Sequence, residues 1–306
     1  MIKLRDAVYD WMVKYKRNSI KASSYDRLET SFKLMEQHKI AWIFIDQIDT
    51  DYIQDYLNEL VSEGYSMSTI KKQFHLLTAF MDHANVVGLI DRPYHKAVKL
   101  PSKTAIRKEE REVVAYGEEE QKVLLKIFET LDKPSYGAAI LMLETGMRVG
   151  EVLALSWEDI NWNRRCVRIW KTFVRLGNHR KSYIQKDVKS YSSNRTIPLS
   201  GRAMRVLKEL KLKNDICSSF IIHDDEGEPL CYEAMRWQIR QVCNHLDIPY
   251  YGMHAFRHTF ATNCYYKGCD VKKLSRLLGH SNVAITYNIY IHLFGDELEE
   301  MRLIVD

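Results

Sequence analysis

Gly252-Met253-His254-Ala255-Phe256-Arg257-His258 is the stretch on which the reading of this chain turns. As a helix it sets His254 and Arg257 three residues apart on one face, so both can reach the same ligand. Leu277-Leu278-Gly279-His280-Ser281 then adds an imidazole, and Ile289-Tyr290-Ile291-His292 adds a phenol. Upstream, Thr145-Gly146-Met147-Arg148-Val149-Gly150-Glu151 carries a second arginine. These residue types can attack a phosphodiester without a metal. Guanidinium forks match the non-bridging oxygens and stay charged while negative charge builds. A side-chain nucleophile must lose a proton, and the leaving oxygen must gain one.

Taken singly, each residue also has a plainer reading. Arg148 and Glu151 suit a surface ion pair. His280 follows a glycine at a helix C-terminus, where a capping histidine is common. Most helical tyrosines are packing residues, and Tyr287 stands three positions before Tyr290 as a rival phenol. His254 and His258 have a spacing that can ligate zinc, but Ala255 stands where such a site needs its acid. Cys264 and Cys269 lack zinc-knuckle spacing. No metal and no cofactor are therefore expected.

The wider composition narrows the class. A chain of 306 residues suits two domains, each with its own core. The longest apolar run, Ala138 to Leu143, is far too short to cross a bilayer, and the N-terminus has no signal-peptide pattern. Six cysteines without paired spacing read as reduced thiols, hence a cytoplasmic location. A net charge of +5 is compatible with a polyanionic partner without demanding one.

Along the chain, residues 1–100 read as a compact helical bundle. A first amphipathic segment covers Asp6 to Tyr15, and Ser23-Ser24-Tyr25-Asp26 looks like a capping box for a second helix. Ile48-Asp49-Thr50-Asp51 opens a third helix with Tyr52, Ile53, Tyr56, Leu57 and Leu60 on its apolar face, closed at Glu63-Gly64. Ser66-Met67-Ser68-Thr69 starts a fourth, with Ile70, Phe74, Leu77 and Met81 on one side and Lys71 and Lys72 on the other. Arg92-Pro93 ends the bundle, and the charged stretch within residues 101–112 reads as an interdomain linker.

Residues 113–306 are mixed. Glu118 to Leu131 is an amphipathic helix with acids at its N-terminus, and Tyr136 to Glu144 is apolar all round and should be buried. Val149 to Leu155 is a short helix. Strands are expected around Val167, Ile169, Phe173 and Ile184, with a loop at Gly177-Asn178. Ser200 caps a helix through Leu210, and Phe220 to Ile222 is a short strand turning at Asp225-Glu226-Gly227. Helices follow from Tyr232 to Leu246 and on to Arg276. The expected fold class is α+β: mainly helical, with a small antiparallel β-sheet.

In this order and at these separations, the boxes at Thr145–Glu151, His254–Thr262, Leu277–Ser281 and Ile289–His292 resemble the tyrosine recombinase family of phage and conjugative-transposon integrases. The resemblance covers nearly all of residues 113–295. More loosely, residues 1–100 look like that family's SAM-like core-binding domain, although Arg92 replaces the usual asparagine before Pro93. The resemblance implies a site-specific DNA recombinase of a mobile element, with Arg148 and Arg257 clamping the phosphate. His254 would be a hydrogen-bonding or proton-accepting partner, His280 a donor to a phosphate oxygen, and Glu151 the brace of Arg148. Tyr290 would be the nucleophile, forming a 3′-phosphotyrosine and freeing a 5′-hydroxyl. The family's general-acid lysine matches Lys189 best, with Lys186 kept open.

The implied partners are double-stranded DNA core sites and three further copies of the chain. In that homo-tetramer the tail from Gly295 to Ile304 packs on a neighbour, and an accessory excision factor is a possible companion. Lys71, Lys72, Arg107 and Lys108 are candidates for phosphate contacts. Many transposon integrases carry an extra N-terminal arm-binding domain, whereas this chain starts in the core-binding domain. It is therefore a compact integrase reading only core sites, or a trimmed one. Competing functions are a relaxing topoisomerase with the same chemistry and a DNA-binding regulator with a degenerate site.

Overall fold

The structure is a computed structural model, and it describes residues 1–102, 106, 113–176, 182–186 and 194–287. Backbone contacts divide the chain into two compact units, Met1–Arg111 with Leu176–Lys181, and Glu112–Arg175 with Ser182–Asp306.

The first unit is built from four helices: α1 (Leu4–Trp11), α2 (Ala22–Met35), α3 (Thr50–Ser62) and α4 (Met67–Val86). Their periodic apolar faces meet in one core. Leu4, Val8, Met35, Ile53, Leu57, Leu60, Ile70 and Phe80 are all buried there, and Trp11 sets its ring edge-on to Phe80 at 5.8 Å. The caps explain where α3 and α4 begin. Asp49 accepts from the amides of Asp51 and Tyr52, and Ser66 from that of Thr69, satisfying donors a helix start leaves open.

Three expectations fail locally. α2 begins at Ala22 after Lys21, with no side-chain cap, so the Ser23–Asp26 capping box does not form. Tyr52 is exposed, and Ile53, Tyr56, Leu57 and Leu60 alone make the buried stripe of α3. The chain past Pro93 does not leave the bundle. A 3-10 turn at Tyr94–Ala97 follows, Tyr94 accepts from the Thr50 hydroxyl, and the Lys99 backbone exchanges two hydrogen bonds with Gln54. Lys71 and Lys72 are exposed on α4.

The second unit is organised around α6 (Pro134–Thr145). Its residues from Ser135 to Leu143 are buried on every side, as the unbroken apolar run requires. Around it lie α5 (Glu118–Phe128), α7 (Val149–Leu153), α8 (Gly201–Leu212), α9 (Tyr232–His245), α10 (Met253–Tyr266) and α11 (Val271–Leu278). Burying each large aliphatic side chain of α6 contributes about 1.5–3 kcal/mol, so this helix anchors the unit. Among the described residues the β-structure is antiparallel. β1 (Ile160–Asn161), β2 (Cys166–Ile169) and β5 (Arg195–Pro198) form one sheet in the order β1-β2-β5, with Val167 opposite Ile197. β3 (Lys171–Val174) and β4 (Tyr183–Lys186) form a separate two-stranded ribbon, with Lys171 opposite Lys186.

Phe220 to Ile222 is not a strand. It is held by single backbone bonds to Leu155 and Leu230 and by an isolated bridge between Ser156 and Phe220, too little for a ladder. The turn after it does form, with the Gly227 amide donating to the Asp224 carbonyl.

Two glycines frame α7. Gly146 ends α6 in the left-handed conformation (φ 65°), where a Cβ would collide with Phe260 and Leu278. Gly150 lets α7 lie on β3, since a Cβ there would sit 2.7 Å from the Phe173 carbonyl oxygen. That oxygen is backbone and cannot swing aside. Gly150→Ala should therefore destabilise the second unit by about 1–3 kcal/mol, read as a lower urea midpoint at unchanged slope.

Candidate active site

The site is built on the C-terminal end of α11. Gly279 turns left-handed (φ 69°), its amide donates to Arg276, and the His280 amide reaches back to Ser275. This Schellman closure satisfies the carbonyls of Ser275 and Arg276 and leaves the next three facing outward. Each of the three takes a different arginine. Arg195 Nε donates to Leu277 O at 2.6 Å, Arg257 Nη2 to Leu278 O at 2.7 Å, and Arg148 Nη2 to Gly279 O at 3.1 Å. Cations at a helix C-terminus are favoured by its dipole, so the helix end gathers positive charge.

One carboxylate holds two of these cations. Glu151 is 3 % exposed and accepts from Arg195 Nη1 and Nη2 at 2.9 and 2.8 Å, a bidentate fork. It also accepts from Arg148 Nη1 at 3.0 Å and from the Arg148 amide at 2.8 Å. Burial opposes ionisation of Glu151, but the bonds and charge of Arg195, then Arg148, hold its carboxyl below the usual range. The pair is thus not a surface ion pair: the acid is sealed in while the Arg148 side chain keeps 36 % exposure.

Arg257, on α10, is deeply enclosed. It is 5 % exposed, and its Nη1 donates to Gly146 O at 2.8 Å, tying α10 to the end of α6. Burial and the neighbouring Arg148 lower its pKa to about 9. The third contact of its fork is to His280, Nη2 to Nε2 at 2.8 Å. Because arginine only donates, His280 Nε2 must accept, and the ring proton lies on Nδ1 facing Thr286 Oγ1 at 2.8 Å. Burial and the charges of Arg257 and Arg148 push the His280 pKa down to about 3, in keeping with a neutral ring. His258 is pushed down to about 4 by burial and by His254 and Arg257. His254 lies at the exposed edge of α10, and its pKa is lowered by desolvation, then by Arg257 and Arg148.

Arg148, Glu151, His254, Arg257 and His280 therefore come together from α6–α7, α10 and α11. Tyr290, Lys189, Arg107 and Lys108 lie outside the described residues. Lys186 is exposed on β4, and Tyr287 is half exposed. His254 and His258 place their rings 6.4 Å apart and edge-on. Among the described residues, the metal-compatible group is His38, Glu59 and Glu63, in the first unit. Sequence reasoning missed Arg195 and Thr286. Arg195 sits inside a stretch read only for its lysine, and its sole signal was an arginine at the start of an alternating strand. Thr286, 1 % exposed, gave none.

The chain is similar to known proteins over most of its length. The family profile described as "Phage integrase family" matches residues 116–297. A "Tyrosine recombinase XerC-like" protein of Caldanaerobacter subterraneus is 29 % identical, covering 95 % of this chain and 80 % of its own. The integrase of Staphylococcus phage L54a is 26 % identical, covering 94 % and 88 %. Among solved structures, the Tn1549 transposon integrase in complex with transposon right end DNA has the same fold, with a TM-score of 0.82, 19 % identity and full coverage of both chains. A lambda integrase dimer bound to a COC′ core site has a TM-score of 0.66 at 17 % identity, covering 94 % of this chain and 77 % of its own. With the profile spanning more than half its length, the chain belongs to the phage integrase family of tyrosine recombinases.

Proposed function

We propose that the chain breaks and reseals DNA by attack of the Tyr290 phenol on a phosphate held by Arg148 and Arg257. As a tyrosine recombinase it is a site-specific DNA recombinase, and its integrase and transposon relatives place that activity with mobile elements. The observation that carries the mechanism is the meeting of three guanidiniums and two imidazoles around the end of α11, with Glu151 as the carboxylate bonded to two of the guanidiniums. Such a cradle is over-cationic until a phosphodiester arrives, and it gains most when the phosphorus carries extra negative charge.

In the proposed sequence the phenol attacks phosphorus and the bond to the 5′-oxygen breaks. The phenolic proton passes toward His254, and Lys189, or Lys186 in its stead, protonates the leaving oxygen. The product is a 3′-phosphotyrosine with a free 5′-hydroxyl. Religation reverses the step without ATP, because the ester conserves the bond energy. His280 accepts from Arg257 in the DNA-free protein. Phosphate charge would raise the imidazole pKa, letting Nε2 take a proton and donate to a non-bridging oxygen. Lys71, Lys72, Arg107 and Lys108 would contact the backbone of the bound duplex. A lambda integrase tetramer has been solved on a Holliday junction, and a homo-tetramer joined by tails from Gly295 to Ile304 is the proposed working assembly here. An accessory excision factor would be a further partner of that assembly.

A nicked duplex that traps the covalent adduct tests this reading. An SDS-resistant complex should form, vanish in Tyr290→Phe, persist in Tyr287→Phe, and be indifferent to EDTA; retention in Tyr290→Phe would refute the assignment. Arg257→Ala should lower the cleavage rate by about a hundredfold or more, the scale for losing a preorganised donor to a developing oxyanion.

The depressed histidines give a pH signature. In the unfolded chain they titrate near 6.5, whereas folded His258 and His280 titrate at about 4 and about 3. Between these limits the unfolded state binds more protons, so stability is full above about pH 6.5 and declines as pH falls. Urea unfolding at about pH 7.5 and about pH 5.5 should show the loss, and His258→Gln should reduce it.

A further inference from the structure

We propose that Arg195 is a positioning residue of the strand-cleavage step: through Glu151 and the Leu277 carbonyl it fixes where Arg148 presents its guanidinium to the scissile phosphate. The proposal rests on the recombinase reading given above.

Three observations support it. First, Arg195 spends all three of its nitrogen centres on the site's framework: Nη1 and Nη2 on Glu151, and Nε on Leu277 O. Its side chain is only 6 % exposed, so it is not placed to meet DNA itself. Second, Glu151 is shared. Its Oε1 receives Arg195 Nη1 and Arg148 Nη1 at 2.9 and 3.0 Å, and its Oε2 receives Arg195 Nη2 and the Arg148 amide at 2.8 and 2.8 Å. Two cations therefore compete for one carboxylate, and the share that Arg195 takes sets how firmly Glu151 grips Arg148. Third, Arg195 lies on β5 yet binds the same helix end as Arg148 and Arg257, at the carbonyl just before theirs. It thereby fastens the sheet to α11 and α7 at one point.

An ordinary structural ion pair would stabilise the fold and nothing more. The shared carboxylate predicts something different. Without Arg195, Arg148 is the cation still hydrogen-bonded to Glu151, which draws that guanidinium inward, away from a phosphate. Lysine keeps the charge but loses the fork, and cannot hold both carboxylate oxygens and the Leu277 carbonyl together. The effect should appear in the chemical step and not in DNA affinity, because the residue that moves acts on the phosphate undergoing reaction.

The test is single-turnover cleavage of the nicked duplex at saturating protein, with DNA affinity and thermal unfolding measured on the same full-length chains. Wild type, Arg195→Lys, Arg195→Ala, Glu151→Gln and the Arg195→Ala/Glu151→Gln double variant form the set. The expected result is a cleavage rate lowered about a hundredfold in Arg195→Ala, the scale of a small misplacement of a catalytic group, with affinity within about threefold of wild type. Arg195→Lys should recover stability more fully than rate. The double variant, with no buried carboxylate left unpaired, should unfold later than Arg195→Ala while staying slow. Folded Arg195 variants that cleave within about twofold of wild type overturn the proposal. So does a double variant whose rate returns together with its stability. A wild-type chain forming no Tyr290-dependent adduct overturns the recombinase reading itself, an outcome distinct from normal adduct formation by the Arg195 variants.

Discussion

The site depends on three carbonyl groups that α11 cannot satisfy by itself. A helix always ends with unpaired acceptors, and here the left-handed Gly279 disposes of two and turns the next three outward. Arginines from β5, α10 and the start of α7 meet them in sequence. Positive groups that would repel one another in isolation are thus held by partial negative charge already fixed in the backbone. Glu151 supplies the only full negative charge among the bonds described around them, and it is buried where water cannot weaken it.

That arrangement explains why the local packing is so exacting. Gly146 must be left-handed and bare because its carbonyl receives Arg257 while Phe260 and Leu278 crowd its α-carbon. Gly150 must be bare because α7 lies against the Phe173 backbone. The buried α6 gives these turns a rigid floor. Deviations of a fraction of an ångström at either glycine would move Arg148 or Arg257 relative to the helix end. Packing and chemistry are one constraint here.

Much of this was readable in the sequence. The apolar run of α6, the caps Asp49, Ser66 and Ser200, and the left-handed stops at Gly64 and Gly279 each have a local cause that residue type alone reveals. The spacing of His254 and Arg257 likewise needs only a helix. Arg195 could not be read in the same way. Its partners are 44 and 82 residues away, and an arginine opening a strand looks the same whether it faces solvent or a buried acid. Glu151 was legible only in part for the same reason: the spacing to Arg148 could be read, its enclosure could not. At Phe220–Ile222 an apolar triplet suggested a strand, but too few neighbours align with it to form a ladder. Lys21 begins α2 without any side-chain cap, so no motif could have marked the boundary.

The shortness of α11 carries a consequence of its own. Only eight residues long, it fastens Arg148, Arg195 and Arg257 at adjacent positions of its last turn. Fraying of that turn would break these three carbonyl bonds together, leaving Arg148 and Arg195 on Glu151 and Arg257 on the Gly146 carbonyl. One helical turn thus ties together side chains that arrive from three separate parts of the unit.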